Sequence, residues 1–457
     1  MKYAIKYSRI KKLFTISTVL FTLILAGCAS SKVSDPYYEE NIKDFSVFSL
    51  KNDIPLVLKK TSGQIVVLRV VFEGGTPLVA QEKAGIEDIL LDLMFHGSVE
   101  YSYEDIQNMQ YNMSFSLNSS AGKDYSVAGV KCIKKDLDTV LALFADSILN
   151  PILDEKDFSE LMLQKKESLQ RTLSDPSGLL SVELHKAVYA GHSYKTSDDV
   201  TLESVDSITL DDVKSHYKNL MDSARIKIVV VANFEGEELI QFEQKLDGYF
   251  GSIKKGSYSR PKIDKIVVSG ENLYIKNEQA GDSAYSIGFF DCPERYDSDY
   301  VPFAISLMYL DDIFFEQVRE KAGAVYSVGS GVLGGRDMVG AISAYKISDK
   351  KNIDSLMLTA IESFPDEKTV AQKLDQYKNK YITTLFGSSQ NGAGVAANII
   401  TSLEYSGSYD TYLKRSEEVQ TVTAKQVVNA YKKYIAQDKK SSGGKINPMR
   451  WITVTND

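Results

Sequence analysis

Ala84-Gly-Ile-Glu-Asp-Ile-Leu-Leu-Asp-Leu-Met-Phe-His-Gly-Ser98 is the stretch from which the rest of the chain is best read. It follows Val70-Val-Phe-Glu-Gly-Gly-Thr76, a β-branched run closed by two glycines, so strand, turn and helix come in succession. Ile86, Ile89, Leu90 and Leu93 recur at helical spacing and form one apolar face, and Gly97 ends the helix near His96. Asp88, Asp92 and His96 are spaced i, i+4, i+8 on a shared face, and oxygen and nitrogen donors of this kind can hold a metal. Gly97 leaves His96 poorly aimed, however, and two carboxylates on a helix are usually only its solvated side.

Working outward, alternation and β-branched runs predict strands at 45–50, 55–60, 65–72, 113–118, 125–132 and 225–233. Periods of 3.6 predict helices at 103–110, 136–149, 155–173, 179–190, 209–221 and 237–250. Gly251-Ser-Ile-Lys-Lys-Gly-Ser-Tyr-Ser-Arg-Pro261 has the composition of a linker, and past it the order begins again. Strands are expected at 272–277, 284–290, 324–330, 339–345 and 450–455. Helices are expected at 299–321, 351–364, 369–385, 394–405 and 424–435. Gly329-Ser-Gly-Val-Leu-Gly-Gly335 falls between two of these strands and reads as a loop rather than a phosphate-binding turn.

The two halves align internally. Lys134-Lys-Asp-Leu-Asp-Thr-Val-Leu141 matches Lys350-Lys-Asn-Ile-Asp-Ser-Leu-Met357, Asp154-Glu-Lys156 matches Asp366-Glu-Lys368, and Ile208-Thr209 with Tyr217-Lys218 matches Val422-Thr423 with Tyr431-Lys432. Three blocks in one order at nearly constant offset imply two copies of one domain of about 215 residues. The expected organisation is a leader at 1–27, a tether at 28–43, domains at 44–250 and 264–457, and a linker at 251–263.

The leader carries Lys2, Lys6, Arg9, Lys11 and Lys12 ahead of an apolar run from Leu13 to Leu25, as in a secretory signal. Leu25-Ala-Gly-Cys28 resembles a bacterial lipobox, which implies a lipid on Cys28 and a body anchored at the cell envelope, facing periplasm or exterior. Ala29 in place of an Asp leans toward an outer membrane where the source has one. The net charge of −8, more acidic once the leader is removed, argues against nucleic acid and against basic-patch binding to anionic lipid. Cys132 and Cys292, one per half in strand contexts, are expected to be buried free thiols.

The opening stretch resembles the motif helix of the insulinase/pitrilysin zinc peptidases, of the form G-[LI]-x-H-[FLI]-[LV]-E-H-[ML]-x-F-x-G-[ST]. Gly85, Ile86, Ile89, Leu90, Leu93, Phe95, Gly97 and Ser98 fit it, while Asp88, Leu91 and Asp92 stand where the family has His, Glu and His. Such a peptidase needs two imidazoles four apart and a carboxylate to take a proton from metal-bound water. Leu91 accepts no proton. The family's third ligand is a Glu on a downstream helix, for which Glu167 is the nearest candidate. The resemblance covers nearly the whole chain past the leader. It implies an α+β fold of two tandem homologous domains, each a mixed sheet with packed helices, closing like a clamshell around a chamber.

Phe314-Phe-Glu-Gln-Val-Arg-Glu-Lys-Ala-Gly-Ala-Val-Tyr-Ser-Val328 is similar to the family's second signature, L-x-x-x-[VIL]-R-E-x-x-G-x-x-Y-[SD]. That likeness implies that Arg319 and Tyr326 hold the substrate backbone and polarise its carbonyl. The residues alone favour the plainer reading, in which Arg319 pairs with Glu320 or the helix terminus and Tyr326 packs in the core.

In two-subunit members of the family one polypeptide supplies the zinc helix and the other the Arg/Tyr pair. The favoured expectation is therefore a non-catalytic, lipid-anchored subunit that completes a peptide-degrading chamber with a zinc-bearing partner. It would need no metal of its own, zinc entering only through the partner. The alternatives are a stand-alone peptide-binding or envelope-scaffold lipoprotein, and a metallopeptidase with a rewired site built on Asp88, Asp92 and His96.

Overall fold

The computed structural model describes residues 36–436 and 449–457; the leader and the lipidation candidate Cys28 lie outside them. The β-branched runs form β1 (Phe45–Ser49), β2 (Pro55–Lys60), β3 (Ile65–Glu73), β4 (Ser116–Ser120), β5 (Tyr125–Ile133) and β6 (Ile226–Ala232). They make one mixed sheet in the order β1-β2-β6-β3-β5-β4, in which only β2 and β6 run parallel. The second half supplies β7 (Leu273–Lys276), β8 (Ala284–Asp291), β9 (Val325–Gly334), β10 (Met338–Ile347) and β11 (Arg450–Thr455), ordered β7-β11-β8-β10-β9. Strand for strand this repeats β2 to β6, down to the one parallel pair, β7 with β11. The internal repeat is thus a repeat of topology, and the chain is a tandem of two homologous α+β domains.

The helices are α1 (Pro36–Asn41), α2 (Ile86–Leu93), α3 (Tyr103–Met113), α4 (Leu137–Leu149), α5 (Glu155–Ser174), α6 (Pro176–Val188), α7 (Leu210–Leu220) and α8 (Gly236–Phe250) in the first half. The second half has α9 (Tyr300–Phe314), α10 (Ile353–Glu362), α11 (Glu367–Ser388), α12 (Gly392–Ser406), α13 (Arg415–Thr421) and α14 (Ala424–Tyr434). The blocks that aligned in sequence are largely helix starts. Asp154 and Asp366 cap α5 and α11 by accepting from backbone N–H groups, and Thr209 and Thr423 head capping boxes at α7 and α14. Caps need particular side chains, so a cap shared by the two halves leaves a short matching block in the sequence.

Both faces of each sheet are covered. Leu56, Leu58, Leu68, Val70, Ile228 and Val230 share a core with Ile89, Leu90, Val140, Phe144 and Val213 of the first half's own helices. The opposite face, Val57, Val67, Val71, Val229 and Val231, packs against Ala396, Ile399 and Ile400 of α12 from the second half. Reciprocally, Ile287, Phe289, Val339, Ala341, Ile452 and Val454 pack against Leu180, Leu184 and Val188 of α6 from the first. Each half lends one helix to the other's sheet. The near-continuous apolar run Ile226–Ala232 follows from this, since a strand buried on both sides has no polar face to show.

Three expectations change. The glycine-rich run from Gly329 is not a loop: Val325–Gly334 is one edge strand whose paired residues match β10 from Val325↔Ile347 to Gly334↔Met338. The ladder overrides the low strand propensity of glycine, as tertiary pairing generally can. The proposed tether at 28–43 is partly fold, because α1 docks on the second half with Tyr37 against Phe386 at 4.7 Å and the Tyr38 hydroxyl donating to Asp410 at 2.7 Å. The helix expected at 299–321 is α9 followed by a π-helical turn, Phe315–Lys321, a widened ladder often found at functional positions.

Candidate functional site

The helix α2 starts where Gly85 takes a left-handed backbone, φ 83°, with the backbone of Val200 packed against the place a Cβ would occupy. Its apolar face, Ile86, Ile89, Leu90, Leu91 and Leu93, is buried, so Leu91 points into the core rather than toward a reacting centre. Asp88 and Asp92 emerge on another side, and there the Nζ of Lys165 sits between them, bonded to Asp88 and 2.8 Å from Asp92. Asp92 also accepts from Ser119 of the edge strand β4 at 2.9 Å. Burial raises the Asp88 pKa above its ordinary value, against the pull of Lys165, with Asp92 and Asp199 adding to the rise. Burial works against the Lys165 ammonium, but its bonds to Asp88 and Asp92 outweigh this and raise its pKa. One cation shared among several carboxylates explains both directions.

This donor set does not fit zinc. An ammonium already lies between the two carboxylates, and no imidazole joins them; among the described residues no group of three or more His, Cys, Asp or Glu has the geometry to hold a metal. The candidates Glu167 and His96 are not brought to Asp88 and Asp92. Glu167 faces solvent and lies 3.8 Å from Arg171, because it is two residues round the helix from Lys165. His96 follows the end of α2, where its ring lies 4.9 Å from that of Tyr103. The residue of α5 that does reach the motif helix is Lys165, which pattern reading missed. Its signal was present: Phe158, Leu161 and Leu169 form the buried stripe of α5, and Lys165 interrupts it at helical spacing.

Beneath this pair lies a second charged group. Glu87 is buried, accepts from Ser126, lies 2.9 Å from His216 Nε2 and 3.6 Å from Arg225. Burial pushes its carboxyl up, but the bond and charge of His216, with Arg225 and Ser126, more than offset that and leave its pKa below the ordinary range. Beside Lys165, a cavity of about 540 Å³ opens between α5, α6 and the 195–203 loop, with Leu169, Leu173, Val182 and Val200 in its wall.

Arg319 and Tyr326 are brought together in the second half. Arg319 lies on the π-helical turn with its guanidinium 5.2 Å from the Phe315 ring centre and 5.8 Å from that of Tyr326. Among the described residues it has no carboxylate at ion-pair distance, so the pairing with Glu320 that the residues allowed does not form. Tyr326, at the start of β9, is 68% exposed and does not pack in the core. The helix and edge strand here repeat a contact of the first half, Ser330 of β9 donating to Asp311 of α9 as Ser119 of β4 donates to Asp92 of α2.

Residues 56–197 match the family model described as Insulinase (Peptidase family M16), and residues 207–381 match that described as Peptidase M16 inactive domain. The chain is similar to the mitochondrial ubiquinol-cytochrome-c reductase complex core protein I of Euglena gracilis, 24% identical over 61% of this chain and 55% of that protein. It is also similar to mitochondrial-processing peptidase subunit beta of Dictyostelium discoideum, 22% over 60% of the chain and 57% of the relative, and to subunit alpha of Homo sapiens, 23% over 57% and 52%. The chain thus spans little more than half the length of these relatives. The solved peptidase M16 inactive domain from Pseudomonas fluorescens shares the fold, with TM-score 0.76, 18% identity, and 90% of this chain and 97% of that chain covered.

Proposed function

This chain belongs to the insulinase family, peptidase family M16, and on that premise we propose that it is a non-catalytic subunit whose Arg319 and Tyr326 complete a peptide-degrading chamber built with a zinc-bearing partner. The observation that carries the reading is a contrast within one chain. The motif helix has its ligand positions tied off by Lys165, while the Arg319–Tyr326 pair stands exposed and, among the described residues, without an acid partner. A guanidinium and a phenol held on a rigid helix end and strand can donate to a peptide carbonyl and stabilise the negative charge that develops on it. Proton abstraction from water would fall to the partner, since Leu91 is a buried hydrocarbon. Similarity to both the alpha and the beta subunit of a peptidase supports an arrangement of paired chains. Lipid on Cys28 would keep the assembly at the cell envelope.

Affinity purification of the lipid-bearing protein from detergent-solubilised native membranes tests the pairing. A second chain with an intact H-x-x-E-H helix should accompany it. Repeated recovery of this chain alone, with crosslinking included, would end the proposal.

A second reading has its own observation. β4 is an edge of its sheet and is bonded to α2 through Ser119 and Asp92, and Lys165 lines the 540 Å³ cavity, so an extended peptide would find both a strand partner and a side-chain pocket. On that reading the protein binds peptides alone and degrades none. The Arg319→Ala variant separates the two: peptide turnover in cells should fall about tenfold or more in the paired-subunit case, by analogy with loss of a carbonyl-polarising donor. It should not change in the other.

A further inference from the structure

The exposed surface around Tyr326 contains a residue that no signature assigns. β9 and β10 pair in an unbroken register, Ser327↔Tyr345 and Val325↔Ile347, which sets Lys346 directly across from Tyr326. On its other side β10 shifts register against β8 between Ala344 and Ile347, a β-bulge centred on the same residue. Lys346 there adopts φ 50°, one of three non-glycine residues with positive φ among those described. A lysine gains nothing intrinsic from that conformation, and bulges of this kind re-aim a side chain. The result is visible: the Lys346 ammonium lies 5.5 Å from the Tyr326 ring centre, and the Arg319 guanidinium lies 5.8 Å from it. Neither cation has a carboxylate at ion-pair distance among the described residues, while the nearby Glu316 is held by Lys321 at 2.5 Å. Phe315, 49% exposed, adds apolar surface to the same patch.

Two unpaired cations on one exposed ring, in a chain of net charge −8, are a local reversal of the molecule's sign. We propose that Lys346 is a third contact of this surface and sets its preference for a carboxylate, either an Asp or Glu side chain or the free C-terminus of an extended peptide. The inference rests on the peptide-contact reading of Arg319 and Tyr326 and adds to it a substrate class.

Fluorescence-anisotropy titration of the full chain tests it with three labelled peptides of one length. The first is acidic with an amidated end, the second neutral with a free carboxylate, and the third neutral and amidated. The expected result is that one or both carboxylate-bearing peptides bind about two- to fivefold more tightly than the third at low salt, and that the gap closes as ionic strength rises. Whichever of the first two shows the gap identifies the source of the carboxylate. Lys346→Gly, which suits the left-handed backbone and keeps the bulge, should abolish the preference, and Lys346→Arg should retain it. Equal binding of all three peptides, or a preference that survives Lys346→Gly, overturns the proposal. If Arg319→Ala then weakens all three alike, the peptide-contact reading stands without it. If no peptide binds the unaltered chain, both fall.

Discussion

Lys165 is the residue on which the α2 surface turns. It places a positive charge between two residues of the motif helix and so ties α5 to α2. Replacing it by Met would leave Asp88 and Asp92, one turn apart on the same face of α2, with no cation between them. We expect Lys165→Met to cost about 1–2 kcal/mol in urea unfolding, less than a fully buried pair because these groups keep some water. The Asp88 carboxyl, already raised, should rise further, which is measurable by NMR titration of its side-chain carbon. Unchanged stability and titration would mean that the ammonium does not hold the two helices. The buried thiols are the opposite kind of residue. Burial pushes both Cys132 and Cys292 up to about 12, so neither should react with a thiol reagent at neutral pH until the chain unfolds.

Among the elements, helix starts and hairpin turns hold the titrating and tightly packed groups. In the α7 capping box, the bonds from Lys83 and Thr209 pull the Asp212 carboxyl down to about 2. A carboxyl lowered by folding stabilises above its ordinary range, near 4, and that contribution is lost as the pH falls toward 2. Thr209→Ala should cost about 1 kcal/mol at pH 7, and its deficit relative to the unaltered chain should shrink in acid melts below pH 4. The β9–β10 turn is a second such element. The Arg336 N–H donates to Asp124 at 2.7 Å, Tyr194 donates to the same carboxylate at 2.6 Å, and Gly335 leaves no room for a Cβ beside it. Gly335→Ala should push the turn off Asp124 and lower stability by about 1–3 kcal/mol, the cost of leaving buried donors unmet. A melt that does not shift would show that the turn is free to move.

For the whole molecule, the exchange of α6 and α12 makes each half incomplete without the other. A charged cluster bridges the same seam. Buried Glu404 of α12 pairs with Lys227 of β6 at 2.5 Å and with Arg260 of the linker at 2.8 Å, and Arg260 also pairs with Glu73 of β3 at 2.5 Å. Glu404→Ala should cost about 2–4 kcal/mol, held down by the remaining Glu73, and calorimetry should still show one transition for both halves. Two resolved transitions would mean that the halves fold independently. The segment expected as a linker at 251–263 is pinned rather than loose, with Asp222 accepting from Gly256 and Tyr258.

Read alone, the chain already showed the tandem repeat, nearly all the strands and helices, and a short helix ending near Gly97 that carries Asp88, Leu91 and Asp92. These are properties of periodicity, capping and residue type, which act over a few positions and leave a trace in the chain. It did not show that Lys165 lies between Asp88 and Asp92, that Tyr326 is exposed beside Arg319 and Lys346, or that the halves exchange helices. Those depend on which helix face meets which sheet and on a one-residue shift in β10, and they join positions tens to hundreds of residues apart. Local pattern fixes what each segment becomes. Only packing decides which side chains then meet.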